Sequence, residues 1–111
     1  MTDKIIVLVT VPDRKTAEAI AYALLEAKLV ACAQILPGLK SIYHWKGKIE
    51  TAKELLMILK SRSDVFKTLK NKIISLHPYQ VPQIISVPIE RGLLSYLQWI
   101  DGVIGTRGEQ I

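Results

Sequence analysis

The first strong pattern along the chain is the apolar run KIIVLVTV over residues 4–11, which ends at Pro12. Such β-branched runs are typical of strands that are buried on both faces. Asp13 then occupies the position of a helix N-cap, and apolar residues follow at the spacing of an amphipathic helix over 14–28. The apolar positions of this helix are Ala17, Ile20, Ala21, Leu24 and Leu25.

The next third of the chain has the pattern of strands. Residues 29–36 are strand-like, the pair Pro37-Gly38 predicts a turn, and residues 39–46 alternate as a second strand. Its two faces carry Leu39, Ser41, Tyr43 and Trp45 on one side, and Lys40, Ile42, His44 and Lys46 on the other. After a turn at Lys46-Gly47-Lys48, residues 49–60 fit a helix or a long strand. The direct connection and the apolar run LLMIL favour the strand.

The last part of the chain predicts two helices and a strand. Ser63 is the expected cap of a helix that ends within His77-Pro78-Tyr79, because Pro78 disfavours helical geometry in the residue before it. A strand over 83–89 follows, and Pro88 places its end at a sheet edge or a bulge. The inward positions of the two helices are Phe66, Leu69, Ile73 and Leu76, then Leu93, Tyr96, Leu97, Ile100 and Ile104. Residues 104–111 are expected to form a frayed tail.

The predicted order β-α-β-β-(β)-α-β-α indicates an α+β fold of the ferredoxin-like, split βαβ type. An antiparallel sheet carries the helices on one face, and a C-terminal helix is added. The 111 residues suit a single domain over 1–111. Half of the residues are apolar, which is more than one small core readily buries, so the sequence favours an oligomer in which another subunit covers the open face of the sheet.

Charge and cysteine content narrow the class of protein. The net charge of +5 permits a nucleic-acid partner, but the lysines are scattered over helices and turns, and solvation explains them better. The single cysteine suits a reducing compartment. No signal peptide and no membrane-spanning segment are recognised. We therefore expect a cytoplasmic protein without a nucleic-acid or membrane partner.

Cys32 and His77 are the candidate soft metal ligands, and both suit a late first-row metal such as copper. Two ligands from one chain do not complete a site, so a carboxylate, a water or a second subunit would have to contribute. The alternatives are that Cys32 is a small buried side chain on a strand and that His77 is a helix-terminal histidine bonded to the backbone. A catalytic Cys-His pair is the least favoured interpretation, because no third residue is seen to orient it.

Two further pairs of residues stand out. Tyr43 and Trp45 share a strand face and could stack on bases, but SIYHWKGK lacks the order of an RNA-recognition motif, so a subunit contact or cleft wall is preferred. Glu54 and Lys60 lie on one face with apolar residues between them, which predicts a salt bridge at the rim or, less often, a ligand clamp. The common catalytic motifs are absent, so we do not expect an enzyme.

Several motifs taken together resemble the CutA divalent-cation-tolerance family over Ile5 to Ile100. They are Thr10-Val11-Pro12-Asp13, Leu29-Val30-Ala31-Cys32-Ala33, Ser41-x-Tyr43-x-Trp45-x-Gly47, Glu54, Ile58-Leu59-Lys60, His77-Pro78-Tyr79 with Pro82, and Tyr96-Leu97-x-Trp99. Each motif alone is weak, whereas their order and spacing are specific.

This resemblance implies a tight homotrimer similar to the PII signalling proteins, with ligands bound in clefts between subunits. It places near those clefts Cys32, Tyr43, Trp45, Glu54, Lys60, His77 and Tyr79. It also implies binding of divalent cations, with copper as the first candidate. The resemblance implies that copper binding is weak, since Val9 and Leu76 replace a cysteine and a histidine found in members linked to copper. A PII-like sensor or scaffold for small molecules is the alternative function.

Overall fold

The computed structural model describes residues 2–106, which form four strands and three α-helices. In chain order they are β1 (Lys4–Val11), α1 (Arg14–Glu26), β2 (Cys32–Trp45), β3 (Lys48–Arg62), a 3₁₀ turn (Ser63–Val65), α2 (Phe66–Leu76), β4 (Ile84–Pro88) and α3 (Leu94–Ile104). The antiparallel sheet has the strand order β2-β3-β1-β4. The α+β, ferredoxin-like prediction is therefore confirmed, and α3 is the additional helix.

The core lies between one face of the sheet and the helices. Alternate residues of β1 and β3 point to this face and are fully buried, among them Val7, Val9, Met57 and Leu59. The helices cover them with residues at the predicted amphipathic positions, which are Ala17, Ile20, Ala21 and Leu24 of α1, Leu69 and Ile73 of α2, and Ile100 and Ile104 of α3. Burial of each large aliphatic side chain contributes roughly 1.5–3 kcal/mol, so this layer is the main source of stability.

The opposite face of the sheet is also apolar but remains open in the single chain. Leu36, Ile85 and Val87 on this face are 56%, 50% and 43% exposed, while the more central Ile6 and Leu8 are partly exposed. A strand pair that is apolar on both faces is typical of a sheet covered on both sides. Part of the excess of apolar residues therefore lies on this face.

The predicted turn at Pro37-Gly38 is wrong, because β2 runs through it as one strand. Pro37 and Gly38 together lie opposite the single residue Leu55, which makes a β-bulge. A bulge tolerates proline, which lacks the N–H of the ladder, and glycine, whose φ is +83° here. The extra residue shifts the alternation of side chains, so Leu39, Ser41, Tyr43 and Trp45 continue the open face that Leu36 occupies before the bulge.

Beyond the bulge, β2 and β3 project as a two-stranded ribbon. The strand β1 ends at Val11, opposite Leu55, so residues 39–54 pair only with each other. Lys46 and Gly47 close the ribbon with φ values of +50° and +77°, as the tightest hairpin turns require. The predicted strand over 49–60 is confirmed and extends to 15 residues.

Of three helix ends, the start of α1 and the end of α2 agree with the sequence prediction, and the start of α2 does not. Asp13 caps α1 by accepting a 2.7 Å hydrogen bond from the Thr16 N–H, and α2 ends at Leu76 because His77, before Pro78, is extended with ψ 134°. The cap predicted at Ser63 is wrong. A 3₁₀ turn intervenes, and α2 begins at Phe66 without a side-chain cap.

Three residues predicted to face inward are exposed in this chain, namely Leu76 (40%), Leu93 (74%) and Tyr96 (39%). They lie at a helix end or on the outer side of α3, where the apolar pattern continues beyond the core. Ile104, the first residue of the predicted tail, instead ends α3 and is fully buried. Residues 107–111 of that tail lie outside the described residues. No helix among residues 2–106 is both long and apolar enough to cross a membrane.

Candidate functional site

Glu54 and Tyr79 form the central contact of the candidate site. Glu54 lies on β3 just beyond the end of β1, and Tyr79 follows α2 in the segment that leads to β4. The Tyr79 hydroxyl donates a 2.8 Å hydrogen bond to Oε2 of Glu54, whose residue is only 7% exposed. Burial, together with this bond to a carboxylate, raises the pKa of Tyr79 far above its usual range. The hydroxyl therefore remains a neutral donor.

His77 is held beside this pair by two hydrogen bonds. Its Nε2 lies 2.8 Å from the carbonyl oxygen of Thr10, and its Nδ1 accepts a 3.1 Å bond from the Tyr79 N–H. Because one partner only accepts and the other only donates, these contacts select the neutral tautomer with the proton on Nε2. The histidine is 8% exposed and bonded to the backbone at a helix end, in agreement with the structural alternative. A metal ion could bind only by replacing one of these bonds.

Cys32 and Lys60 occupy a different part of the molecule, at the base of the β2–β3 pair. They are directly opposite each other across the two strands, and Cys32 is half-buried with a free thiol. Lys60 donates a 2.8 Å hydrogen bond to Oε1 of Gln34. The salt bridge predicted between Glu54 and Lys60 is therefore absent from the described residues, because six residues of strand, or about 20 Å, separate them.

Tyr43 and Trp45 lie near the tip of the ribbon, on the same face as Glu54. Tyr43 is paired with Glu50 and Trp45 with Lys48, and their side chains are 43% and 40% exposed. Lys46 lies over the Trp45 ring at 5.9 Å from the centroid. His44 lies on the other face, as predicted, and is exposed. The aromatic pair thus projects from the domain on a strand pair that has free edges.

One chain does not assemble the seven predicted cleft residues into one site. Five of them lie along β2 and β3: Cys32 and Lys60 at the base, Glu54 in the middle, and Tyr43 and Trp45 near the tip. The other two, His77 and Tyr79, lie beside Glu54 in the segment after α2. Twelve residues of β3 separate the two ends, which is about 40 Å. Cys32 lies with Lys60 at the base of the β2–β3 pair, whereas His77 lies with Tyr79 and Glu54. Among residues 2–106, no cluster of three or more His, Cys, Asp or Glu side chains is placed to hold a metal ion.

Copper does not fit the residues that one chain offers. Thiolate and imidazole are the ligands that copper prefers, but the two side chains lie at different heights of the sheet. Cys32 lies opposite Lys60. His77 contacts Thr10, which lies four residues along β1 from the cross-strand partner of Lys60. This offset alone is about 13 Å, and both ring nitrogens are already bonded. A copper site would need residues from more than one subunit.

An open groove of about 730 Å³ runs beside the β-bulge. It is lined by Pro12, Gly38 and residues of the ribbon, including Lys40, Lys53 and Glu54. Lys40 and Lys53 are cross-strand partners, so two positive charges lie side by side on one face of the ribbon. Neither lysine was identified from the sequence as part of a site, although the register would have predicted their pairing.

A buried network of charges at the other end of the sheet was also missed by the sequence analysis. Asp101 of α3 contacts Lys4 at 2.9 Å and Arg62 at 3.0 Å. Arg62 also makes two bonds to Asp64 and one to the carbonyl oxygen of Gly105. The only sequence signal was a charged residue at the end of each of two apolar strands, which does not identify the partner on α3. The network fixes the C-terminal helix and does not contribute to the candidate site.

Comparisons with known proteins place these features in a family. A family model described as CutA1 divalent ion tolerance protein matches residues 5–103. The divalent-cation tolerance protein CutA of Thermus thermophilus is 45% identical over 95 residues, which are 86% of this chain and 92% of that protein. Human protein CutA is 42% identical over 103 residues, and the match covers 93% of this chain and 58% of the human protein.

Solved structures agree with the sequence relatives. The crystal structure of CutA from Xylella fastidiosa has a TM-score of 0.91 and 36% identity, and the match covers 94% of this chain and 100% of that chain. The periplasmic divalent cation tolerance protein CutA from Archaeoglobus fulgidus has a TM-score of 0.89 and 43% identity over 92% of this chain and 99% of that chain. By sequence and by fold, the chain belongs to the CutA1 divalent ion tolerance family.

Proposed function

We propose that this chain acts in tolerance of divalent metal cations as a homotrimer that binds such ions weakly at clefts between subunits. The observation that carries the proposal is the membership of the family, whose model matches residues 5–103. The distribution of the predicted cleft residues along the β2–β3 pair supports the intersubunit location, because only neighbouring chains could bring the separated groups together.

The trimer is supported by two unsatisfied surfaces of the single chain. The open face of the sheet exposes Leu36, Ile85 and Val87, and apolar area of this kind marks a protein interface. The ribbon over 39–54 and the edge strand β4 present unpaired backbone groups, and two-stranded ribbons are marginally stable without further contacts. Both surfaces would be covered if neighbouring subunits packed face to face and edge to edge.

Two substitutions that each introduce a lysine at an exposed position test the assembly. Val87→Lys places a charge on the open face, whereas Tyr22→Lys places one on α1, where Tyr22 is 64% exposed. Sedimentation equilibrium is expected to give three times the mass of one chain for the unaltered protein and for Tyr22→Lys, and a smaller mass for Val87→Lys. A monomeric unaltered protein would contradict the trimer.

Copper remains the first metal to test, since a trimer could supply several Cys32 and His77 side chains. Calorimetric titration of the metal-free protein with Cu²⁺ and Zn²⁺ is compared with Cys32→Ser and His77→Gln. If these residues are ligands, each substitution weakens copper binding by about tenfold or more. Unchanged binding in both variants would remove Cys32 and His77 from the metal site.

The second candidate is a PII-like sensor or scaffold for anionic small molecules. The groove beside the bulge favours it, because Lys40 and Lys53 line one side and the aromatic pair Tyr43 and Trp45 lies further along the ribbon. In a Trp99→Phe background, Trp45 becomes the sole tryptophan, and a bound anion is expected to change its fluorescence and to raise the melting temperature. A panel of anionic metabolites without either response would count against this function.

The proposed role is binding and not catalysis. Among residues 2–106, Cys32 has no hydrogen-bonded base, and His77 donates its ring proton to a backbone carbonyl group, so a thiol–imidazole pair has no support in one chain. Slow labelling of Cys32 by a thiol reagent in the folded protein is the result expected of a thiol that is not catalytic.

We also propose a cytoplasmic location, because a single free cysteine suits a reducing compartment. We propose in addition that the protein has no nucleic-acid partner.

A further inference from the structure

The Glu54 carboxylate is buried without a compensating positive charge. It is 7% exposed, and the neutral Tyr79 hydroxyl donates a 2.8 Å hydrogen bond to its Oε2. Within residues 2–106, no Lys, Arg or His forms an ion pair with this carboxylate, and Oε1 has no hydrogen-bond partner. Buried carboxylates are normally paired with a cation, because removing the charge from water is costly. One chain therefore leaves this site incomplete.

The lysines nearest to Glu54 do not provide the missing charge. Lys53 is its neighbour in β3, and strand alternation directs it to the opposite face. Lys40 is the cross-strand partner of Lys53 and shares that face. A metal ion is not favoured either, because no group of three or more ligating side chains is found among residues 2–106. A single carboxylate oxygen suits a single ammonium group, which donates a charge-assisted hydrogen bond.

Lys60 has the opposite deficiency on the same face of the sheet. It lies six residues beyond Glu54 in β3, so both side chains point to the open face. Lys60 is partly buried and forms no ion pair within residues 2–106. Its described hydrogen bond, of 2.8 Å, goes to the neutral amide of Gln34. An ammonium group has three N–H donors, so Lys60 retains two for an anion.

Covering of the open face would bury both of these charges. The apolar side chains of this face, among them Ile85 and Val87, mark it as a protein interface. Glu54 and Lys60 lie about 20 Å apart along one strand, so they cannot meet within a chain. In a cyclic assembly, two different patches of neighbouring copies contact each other. Each copy offers one unpaired anion and one unpaired cation to such a contact.

We propose that the Lys60 ammonium group of one copy forms an ion pair with Oε1 of Glu54 in the neighbouring copy. The Tyr79 hydroxyl orients the carboxylate through Oε2 and leaves Oε1 for the ammonium group. The salt bridge that the sequence predicts between Glu54 and Lys60 thus forms between subunits and not within one. This inference rests on the proposed homotrimer, and it names the contact that completes the site at the cleft.

A double-mutant cycle tests the pair, because residues about 20 Å apart in one chain normally contribute independently to stability. The full-length protein is compared as the unaltered chain, as Glu54→Gln, as Lys60→Met and with both substitutions. Glutamine still accepts the Tyr79 bond, and methionine keeps an apolar stem, so these variants are expected to fold. Loss of the bond to Gln34 accompanies Lys60→Met in either background and therefore cancels in the cycle.

Lys48→Met is the matched control, alone and combined with Glu54→Gln. Lys48 lies six residues before Glu54 on the same face of β3, as Lys60 lies six residues after it. Lys48 is exposed, so solvent stabilises its charge without a partner. Its substitution is expected to shift the melting temperature by less than about 2 °C, and this shift should add to that of Glu54→Gln.

Scanning calorimetry at a fixed chain concentration measures the melting temperatures. Glu54→Gln and Lys60→Met should each lower the melting temperature by about 5 °C or more, because each leaves the other charge buried and unpaired. The double variant should melt above the less stable of the two single variants, since neither charge is then left over. Additive shifts of Glu54→Gln and Lys60→Met overturn the proposal, as does a coupling of Glu54 to Lys48 in place of Lys60.

Sedimentation equilibrium of the unaltered protein separates this inference from the proposed function. If the protein is a trimer and the shifts at Glu54 and Lys60 add, the ion pair fails and the trimer stands. If the protein is a monomer, both fail. A trimer in which the two shifts do not add supports both. Titration with Cu²⁺ measures the metal part of the proposed function independently of these outcomes.

Discussion

Arg62 and Asp101 lie 39 residues apart in the sequence and are joined by a 3.0 Å hydrogen bond from Nη1 to Oδ1. The other carboxylate oxygen of Asp101 lies 2.9 Å from Nζ of Lys4. Lys4 and Arg62 are cross-strand partners on β1 and β3, and their side chains are 10% and 8% exposed. A single carboxylate on α3 thus compensates two buried cations and ties the C-terminal helix to the end of the sheet.

Asp101→Asn is expected to destabilise the protein by about 1–2 kcal/mol. The substitution removes the charge shared by Lys4 and Arg62, and a buried cation that loses a partner is costly. The loss stays moderate because Asp101 is 45% exposed, so solvent already screens it, and because asparagine keeps one acceptor. Urea unfolding at a fixed chain concentration measures the difference in the free energy of unfolding.

Asp3→Asn is the matched control for this prediction. Asp3 contacts Lys4 at 2.6 Å, but its side chain is 59% exposed, so its removal should cost less than about 1 kcal/mol. Equal losses from the two substitutions would show that the bridge between Lys4 and Arg62 does not matter, and that proximity to Lys4 alone determines the effect.

Acid sensitivity follows from the same network. The hydrogen bond from Lys4 is the largest cause that lowers the pKa of Asp101; burial opposes it, and the hydrogen bond from Arg62 adds a smaller lowering effect. A carboxyl group whose pKa is lowered by folding contributes stability above its unfolded pKa of about 3.9, and this contribution is lost as the pH falls through the folded value. Melting temperatures should therefore fall more steeply below about pH 4 in the unaltered protein than in Asp101→Asn. Parallel curves would contradict the prediction.

The sequence predicted elements well where a single periodicity dominates. The apolar run of β1 and the i, i+3, i+4 pattern of α1 allow one interpretation each, and the structure confirms them. Pro37-Gly38 was misassigned because a turn and a β-bulge use the same residue types, and only the pairing of β2 with β3 distinguishes them. The exposure of Leu93 could not be foreseen either, because periodicity shows that a face is apolar and not which chain covers it.

Predictability of the candidate site differs between its residues. The family resemblance identified Glu54 and Tyr79, but their hydrogen bond depends on how the segment after α2 folds back over β3, which no local pattern encodes. The end of α2 was foreseen from Pro78, and a histidine bonded to the backbone was one of the alternatives for His77, whereas its bond to Thr10 was not foreseen. Asp101 resembled an ordinary surface charge on a helix, so its contact with two buried cations required the tertiary structure.

Glycine-to-alanine substitutions at two positions should have opposite effects. Gly47 has φ +77° in the turn of the ribbon, and Gly102 lies within α3; an added Cβ would meet nothing within 4 Å at either position. Only the backbone conformation therefore distinguishes them. Gly47→Ala is expected to cost about 1–2 kcal/mol because alanine is strained in the left-handed region, and Gly102→Ala to gain about 0.5–1 kcal/mol from helix propensity. Urea unfolding of both variants measures these changes, and a loss in Gly102→Ala would indicate an additional contact at α3.

Ionisation of Tyr79 should be delayed well beyond that of an ordinary tyrosine. Burial and the hydrogen bond to the Glu54 carboxylate raise its pKa, so the native state holds this proton more strongly than the unfolded state does. The resulting stability is complete below the unfolded pKa of about 10 and is lost as the pH rises above it. Absorbance titration at the tyrosinate band, taken as the difference between the unaltered protein and Tyr79→Phe, isolates this one of the four tyrosines. The difference should show no step near pH 10 in the folded protein and should recover one in urea. A step near pH 10 under native conditions would mean that the Tyr79 hydroxyl is not held by Glu54 in solution, and would remove the basis for an oriented carboxylate at this site.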